Sequence, residues 1–209
     1  MKTLLLPRLA LLLVLAAPLG PARAQTPSAA PRHPVSWGVR AALNYANTNF
    51  NQGEPAPPVP VATTWRLGYG AGLWLRVGLG HGFGVQQEYS FAQQSGEVSG
   101  GPRYTLRYLS LPVLLRYQVL PRLTVLAGPQ FDLLLDAQQQ QAGQPDATIT
   151  HDTEERAVGA AAGLEVALAE RLGLGLRYTQ GLNHVGIGQR SAVQEFRWQV
   201  AQLVADFRF

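Results

Sequence analysis

The sequence predicts an all-β protein, an eight-stranded antiparallel up-and-down transmembrane β-barrel preceded by a cleaved signal peptide. Three observations support this fold: an N-terminal segment that resembles an export signal, about eight runs of alternating apolar residues, and connections that are alternately long and tight. In the clearest run, Trp65–Val77, every odd-numbered residue is apolar, while Arg66 and Arg76 fall among the even-numbered ones. A period of two indicates a strand with one apolar face. A tilted strand needs about 9–11 residues to cross a bilayer.

The first 24 residues have the three parts of a secretory signal peptide. Lys2 and Arg8 make the start basic, Leu9–Ala17 is apolar, and Ala22 and Ala24 are small residues at the spacing of a cleavage site. A membrane-anchoring helix would need roughly 20 apolar residues, which is more than this run supplies. We therefore predict a signal peptide at 1–24, a flexible periplasmic lead-in at 25–35 and the barrel domain at 36–209.

Most of the net positive charge lies in the predicted signal peptide. The chain has 17 Lys and Arg residues against 13 Asp and Glu residues, and three of the cations precede residue 25. The remainder is close to neutral, so the charge gives no basis for nucleic-acid binding. The chain has no cysteine, so an exported fold must be held by something other than disulfides. A closed hydrogen-bonded barrel is sufficient.

The alternation of apolar residues marks eight strands along the barrel domain. They are predicted at residues 36–46, 65–77, 82–94, 103–118, 122–137, 156–168, 172–179 and 196–209. Pro112 falls inside the fourth strand, where its missing N–H favours a bulge or local irregularity. In the last strand Trp198 and Val200 have the opposite parity from Leu203 and Phe207, so the register of that strand stays open.

The connections and the aromatic residues favour a membrane barrel over a soluble one. Long polar segments such as 47–64 and 138–155 follow odd-numbered strands, and tight turns such as 78–81 and 169–171 follow even-numbered ones. Outer-membrane barrels have long external loops and short periplasmic turns, which places both termini in the periplasm. The aromatic residues then form two girdles, as membrane interfaces favour. One girdle is Tyr45, Trp65, Tyr69, Tyr89, Phe91 and Tyr178; the other is Trp37, Phe83, Tyr117, Phe207 and Phe209.

A soluble lipocalin-like barrel is the alternative fold. It would turn the apolar face inward around a ligand and leave the arginines outside. That arrangement does not explain the two girdles, and it would expose a glycine-rich face to solvent.

Several segments resemble the PorT-like family of outer-membrane β-barrel proteins of gliding bacteria and their relatives. The resemblance is carried by Gly38–Tyr45, Tyr108–Tyr117, Ala127–Pro129, the pairs Arg177-Tyr178 and Gly181-Leu182, and the terminal Phe207–Phe209. It implies an outer-membrane barrel, and one founding member of the family is tied to a secretion and gliding machinery. Ser110 stands where the family pattern often has an acidic residue. The terminal Phe209 resembles the aromatic ending that the barrel-assembly machinery recognises.

Charged residues of many strands have the parity that faces the barrel interior. The predicted structural network comprises Arg40, Arg66, Arg76, Glu88, Arg116, Asp132, Glu165, Arg177 and Asp206, and Arg208 shares their parity. The interior of an eight-stranded barrel is just wide enough for side chains, and an unpaired charge there would cost several kcal/mol. We therefore expect salt bridges with some trapped water. A narrow ion or proton path is the alternative for the same residues.

Catalysis is the alternative suggested by outer-membrane lipid A hydrolases and acyltransferases. His151 lies near Asp152, and His184 lies near Ser191, all in predicted external loops. A Ser–His–acid site needs a base that a carboxylate orients within hydrogen-bond reach of the hydroxyl, and no spacing here fixes that geometry. No histidine pair has zinc spacing and no phosphate-binding loop occurs. We therefore predict no catalytic, cofactor-binding or metal-binding residues.

Together these features predict a non-enzymatic integral protein of the cell outer membrane with a structural or accessory role, and the resemblance adds a secretion assembly as its setting. The expected partners are membrane lipid, the barrel-assembly machinery during biogenesis and other envelope proteins, with no nucleic acid and no cofactor. The alternatives are a lipid A-modifying enzyme, a narrow pore and a soluble lipocalin-like binding barrel. The two long loops either bind a partner or polysaccharide, or only cap the barrel.

Overall fold

Eight long strands make up most of the described chain. The structure is a computed structural model that describes residues 34–53, 57–188 and 194–209, so the predicted signal peptide and most of the lead-in lie outside the described residues. The strands are β1 (Val35–Asn49), β2 (Thr63–Gly80), β3 (Phe83–Val98), β4 (Arg103–Leu120), β5 (Leu123–Gln140), β6 (Arg156–Ala167), β7 (Leu172–Gly181) and β8 (Gln194–Arg208).

The strands close into an antiparallel up-and-down barrel. Each strand pairs with the next one in the chain, and β8 pairs with β1 from Gly38 opposite Arg208 to Asn49 opposite Arg197. This closure leaves no free sheet edge among the eight strands. The predicted eight-stranded antiparallel up-and-down barrel is confirmed.

Tight turns connect the strands at one end of the barrel and longer segments connect them at the other. At the β2–β3 turn, Gly80 and Gly82 have positive φ, which glycine adopts without strain. His81 between them also has positive φ. The longer segments add the 3₁₀ helices Phe50–Gln52 and Thr150–Asp152. They also add two short strands, Ala147–Thr148 beside β5 and Val185–Ile187 beside β8. We call the two ends the turn end and the loop end.

The apolar face of each strand points outward. On β2, Leu73 and Leu75 are 54% and 43% exposed, whereas Trp74 between them is 2% exposed. On β7, Leu174 and Leu176 are likewise exposed. The soluble lipocalin-like alternative is therefore wrong, because its apolar residues would have to line the interior.

Aromatic rings cluster on the outer surface near both ends of the barrel. At the loop end Tyr45 stacks on Trp65 with ring centroids 5.3 Å apart, and Tyr69 lies 6.0 Å from Phe91. At the turn end the rings of Trp37 and Phe209 lie 4.6 Å apart, as do those of Phe83 and Tyr117. These are the two girdles that the sequence predicts. Among the described residues, no helix is long and apolar enough to cross a membrane.

Two local expectations are settled by the strand pairing. The β3–β4 pairing is interrupted at Pro112, between the pairs Gln87–Val113 and Ser90–Ser110, with the same register on both sides; the expected local irregularity is therefore present, without a bulge. The shifts in the β4–β5 pair lie at Arg107/Tyr108 and Gln118/Leu120 instead. In β8 apolar residues of both parities occur because both faces contact apolar surroundings. The even-numbered Trp198 is buried inside the barrel, and the odd-numbered Leu203 faces outward.

Candidate functional site in the barrel interior

Seven charged side chains form an unbroken chain of ion pairs across the interior. We call it the ionic chain, and its order is Arg177, Glu88, Arg40, Asp206, Arg76, Glu165 and Arg116. The residues come from seven different strands, so the chain joins strands that are not neighbours in the sheet. Cations and anions alternate throughout, which gives each buried charge at least one counter-charge.

Three of the six links in the ionic chain use two hydrogen bonds. Both guanidinium nitrogens of Arg177 donate to Glu88 at 2.9 Å. Arg40 donates to the two oxygens of Asp206 at 3.1 Å and also pairs with Glu88. Arg116 donates to the two oxygens of Glu165 at 2.8 and 3.0 Å. Planar two-point contacts of this kind fix orientation as well as charge.

Arg76 joins the two halves of the ionic chain. Its Nη2 donates to Asp206 at 2.6 Å and to Glu165 at 3.0 Å. The guanidinium carbon also lies 3.8 Å from the ring centroid of Trp74, a cation–π contact. The Trp74 ring fills the space beside Gly38, where a Cβ would lie 2.4 Å from the ring. Gly38 is therefore required for this packing.

Asp132 is buried in the interior but lies outside the ionic chain. Ser110 and Gln130 donate hydrogen bonds to its carboxylate, and no arginine bond to it is present among the described residues. The expectation that Asp132 offsets an arginine was therefore wrong, because two neutral donors occupy its oxygens. Ser110, which replaces an acidic residue of the resembled family pattern, has become one of those donors.

Arg66 does not join the interior network, which corrects its assignment. Its Nη2 lies 2.6 Å from Glu97 at the loop end, and its side chain is 37% exposed. Arg66 lies within a register shift between β2 and β3 at Trp65/Gly70, where β2 has one residue more than β3, so the inward parity of Trp74 and Arg76 does not extend to it. Arg208, assigned by the same parity, is exposed at the turn end.

A polar layer lies next to the ionic chain, toward the loop end. The side-chain amide of Asn44 donates to the carbonyls of Tyr69 and Gln93 at 3.2 and 3.0 Å, and so bridges the irregular part of the β2–β3 pair. Gln202 in turn donates to Asn44 at 2.9 Å. A cavity of about 30 Å³ lies between Arg40, Asn44 and Gln130. A volume of that size holds one or two water molecules.

The loop end of the interior is filled by apolar side chains, which we call the apolar plug. Phe50, Phe196 and Trp198 pack ring against ring at 5.3 and 5.0 Å. The Trp198 indole N–H donates to the Tyr108 hydroxyl at 3.1 Å. The remaining members are Ala46, Tyr104, Leu106, Ala137, Ala157, Val185, Ile187 and Val200. This plug was not predicted from the sequence, although the opposite parity of Trp198 and Val200 was a signal of it.

The histidines considered for catalysis do not form a triad among the described residues. His151 is exposed in a 3₁₀ helix, and the Nδ1 of His184 lies 3.6 Å from Glu195. Ser191 lies outside the described residues. Within the described ranges, no group of three His, Cys, Asp or Glu side chains could hold a metal ion.

Comparison with known proteins identifies outer-membrane barrels. A family model described as "Outer membrane protein beta-barrel domain" matches residues 23–186, and no curated protein matches the chain. The structure resembles Neisserial surface protein A, with 11% identity, a TM-score of 0.54, and coverage of 84% of this chain and 99% of that chain.

Two further solved structures are similar at lower scores. Ail, the attachment invasion locus protein of Yersinia pestis, is 14% identical with a TM-score of 0.46, covering 84% of this chain and 97% of that one. OprG from Pseudomonas aeruginosa is 11% identical with a TM-score of 0.42, covering 84% and 94%. At such identities the likeness concerns the fold alone.

Proposed function

This chain belongs to the outer membrane protein beta-barrel domain family and is an integral protein of the cell outer membrane, and from that premise we propose that it is a non-enzymatic structural or accessory barrel with a closed interior. The observation that carries the proposal is the filling of the interior from its middle to the loop end, above an open pocket of about 170 Å³ at the turn end that reaches Arg76, Arg116 and Glu165. The ionic chain occupies the middle, and the apolar plug occupies the loop end.

A closed interior argues against the pore alternative. An open channel needs a continuous aqueous path, whereas the central cavity has room for only one or two water molecules. A permeating ion would have to separate bidentate ion pairs and then pass the packed rings of Phe50, Phe196 and Trp198. Both steps are costly in a site that excludes water.

Planar-bilayer recording tests the closed interior. The full-length mature protein, shown to be folded and inserted, should give no discrete conductance steps. A porin of known conductance, recorded in the same bilayers, controls for the sensitivity of the recording. Regular steps from the unmodified protein would contradict the proposal.

The accessory role is supported by the resemblance to the PorT-like family, one founding member of which is tied to a secretion and gliding machinery. On this reading the barrel is a rigid support, and its partners are other envelope proteins that contact its long external loops or its periplasmic face. Affinity purification of the tagged protein from native membranes should recover the same envelope proteins repeatedly. Repeated isolation of the barrel alone would contradict an accessory role.

The enzymatic alternative has its own readout. The lipid A profile of a deletion strain should match that of the parent strain. The Nδ1 of His184 lies 3.6 Å from Glu195, but no hydrogen bond joins His184 to a hydroxyl group among the described residues. A changed profile that the unmodified gene restores and His184→Ala does not restore would overturn the non-enzymatic assignment.

A further inference from the structure

We propose that the outer wall of the barrel at the loop end carries a binding site for the phosphorylated headgroup of an outer-leaflet lipid. The site is an open pocket of about 570 Å³ lined by Arg66, Arg103 and Arg107 above the aromatic girdle. We call it the arginine pocket. It is separate from the ionic chain of the interior and does not depend on the accessory role proposed above.

The arginines of the pocket face away from the barrel interior. On β4, Arg103 and Arg107 share the parity of the exposed Leu115, while the alternating Tyr104 and Leu106 are buried in the apolar plug. A one-residue bulge in β5 then brings a second set of polar side chains outward. Arg107 pairs with Asp136 and Tyr108 pairs with Leu134, so Leu135 is the extra residue.

Beyond that bulge the parity of β5 is reversed. Ala137 is buried in the apolar plug, and Gln138 and Gln140 line the arginine pocket. The bulge therefore converts a lipid-facing wall of leucines into a wall of amides and guanidinium groups. β-Bulges commonly redirect side chains in this way near functional sites.

The position of the pocket matches the headgroup layer of the bilayer. Arg107 pairs with Gln93, one step beyond the lipid-facing pair of Leu109 and Phe91, and Arg103 lies four residues farther out. At about 3.3 Å per residue and a typical tilt of about 40°, four residues span about 10 Å along the membrane normal. The headgroup layer on each side of the hydrocarbon core is about 5–8 Å thick, so the arginines extend across it.

The charges of the pocket leave an excess of one cation. Glu97 accepts from Arg66 at 2.6 Å and from Arg103 at 2.9 Å through the same oxygen, and Arg107 pairs with Asp136. Three guanidinium groups therefore face two carboxylates. Each guanidinium has five N–H donors, and the buried Nε of Arg66 has no hydrogen-bond partner among the described residues. A phosphate group can use such donors in two-point contacts.

The lower wall of the pocket indicates a lipid rather than a free anion. It is formed by Tyr45, Trp65 and Leu67, and Leu67 is 72% exposed. This wall continues directly into the surface that faces the acyl chains. A soluble phosphate would gain nothing from such a wall, whereas a lipid places its phosphate at the arginines and its chains against the leucine and the aromatic rings.

Lipid retention by the purified full-length mature barrel tests the proposal. The protein is reconstituted in phosphatidylcholine nanodiscs that contain either bis-phosphorylated lipid A or its dephosphorylated form, and the retained lipid is counted by native mass spectrometry. The variant R103Q/R107Q should retain the phosphorylated form about tenfold less than the unmodified protein. Retention of the dephosphorylated form should be weak and unchanged.

A charge-matched variant controls for general electrostatics. R122Q/R171Q removes two exposed arginines at the turn end, so it changes the net charge equally and should leave lipid A retention unaltered. Folding of each variant is checked by the shift in gel mobility on heating. Equal retention by R103Q/R107Q, or an equal loss in R122Q/R171Q, would overturn the proposal. So would saturable binding of inorganic phosphate by the barrel in lipid-free micelles, since that would indicate a soluble anion as the ligand.

Discussion

The two halves of the barrel interior are filled by opposite kinds of chemistry. Toward the turn end, Arg76, Arg116 and Glu165 belong to a chain of directional ion pairs. Toward the loop end, Phe50, Phe196 and Trp198 pack without charge. Apart from the plug residues that the long connections supply, both sets lie on the inward faces of the barrel strands. The same fold can therefore close its interior either by pairing charges or by packing rings.

The two halves of the interior should tolerate different substitutions. A buried ion pair depends on both partners, because removal of one leaves an uncompensated charge. Apolar packing depends mainly on volume, so a side chain of similar size and shape can replace another at small cost. The ionic chain should thus be sensitive to loss of charge at constant shape, and the apolar plug should be sensitive to loss of volume.

The largest expected effect is that of Glu88→Gln in the ionic chain. This change keeps the shape of the side chain but leaves Arg40 and Arg177 without the carboxylate that both contact. We expect the free energy of unfolding to fall by about 3–5 kcal/mol, measured by denaturant unfolding in lipid vesicles. Glu170→Gln, at an exposed turn position, is the matched control and should change little. Similar values for the two variants would refute the role of the ionic chain.

A somewhat smaller effect is expected for Phe196→Ala in the apolar plug. The substitution removes the ring that contacts both Phe50 and Trp198, and a cavity of this kind costs about 3 kcal/mol. Phe196→Leu keeps most of the volume and should cost less than about 1.5 kcal/mol. If both substitutions cost the same in denaturant unfolding, volume would not be what stabilises this half.

The smallest effect is expected for Asp132→Asn. This substitution compares a buried carboxylate outside the ionic chain with Glu88, which lies inside it. Asp132 accepts hydrogen bonds from Ser110 and Gln130 and contacts no arginine among the described residues. Loss of its charge leaves no cation uncompensated, so the free energy of unfolding should change by less than about 1 kcal/mol. A loss as large as that of Glu88→Gln would show that the charge of Asp132 stabilises the arginines of the ionic chain without contacting them.

Strand periodicity predicted the inward face of most of the charged residues, with Arg66 and Arg208 as exceptions, but not which of them meet. Arg40 and Asp206 share a register across the β1–β8 closure, whereas Arg177 and Glu88 come from strands on different sides of the barrel. Such a contact depends on side-chain length across the interior, which no spacing in the sequence encodes. Arg66 was misplaced because the register shift near Trp65 has no local sequence signature that alternation can detect.

The apolar plug was missed for a different reason. Phe50, Val185 and Ile187 lie outside the eight long strands, in segments without strand periodicity. They reach the interior because the long connections fold over the loop end, as in the pairing of Val185–Ile187 with β8. Loops that look polar as a whole can still supply a few apolar residues to a core.

The four tryptophans offer the most direct test of an apolar outer face around a packed interior. Trp37 and Trp65 lie in the outer girdles, whereas Trp74 touches the ionic chain and Trp198 belongs to the apolar plug. Four single-tryptophan variants, with the other three changed to Phe, are compared in vesicles of lipid brominated on the acyl chain. Strong fluorescence quenching of Trp37 and Trp65 with little quenching of Trp74 and Trp198 is the predicted result. Equal quenching at all four positions would contradict the account.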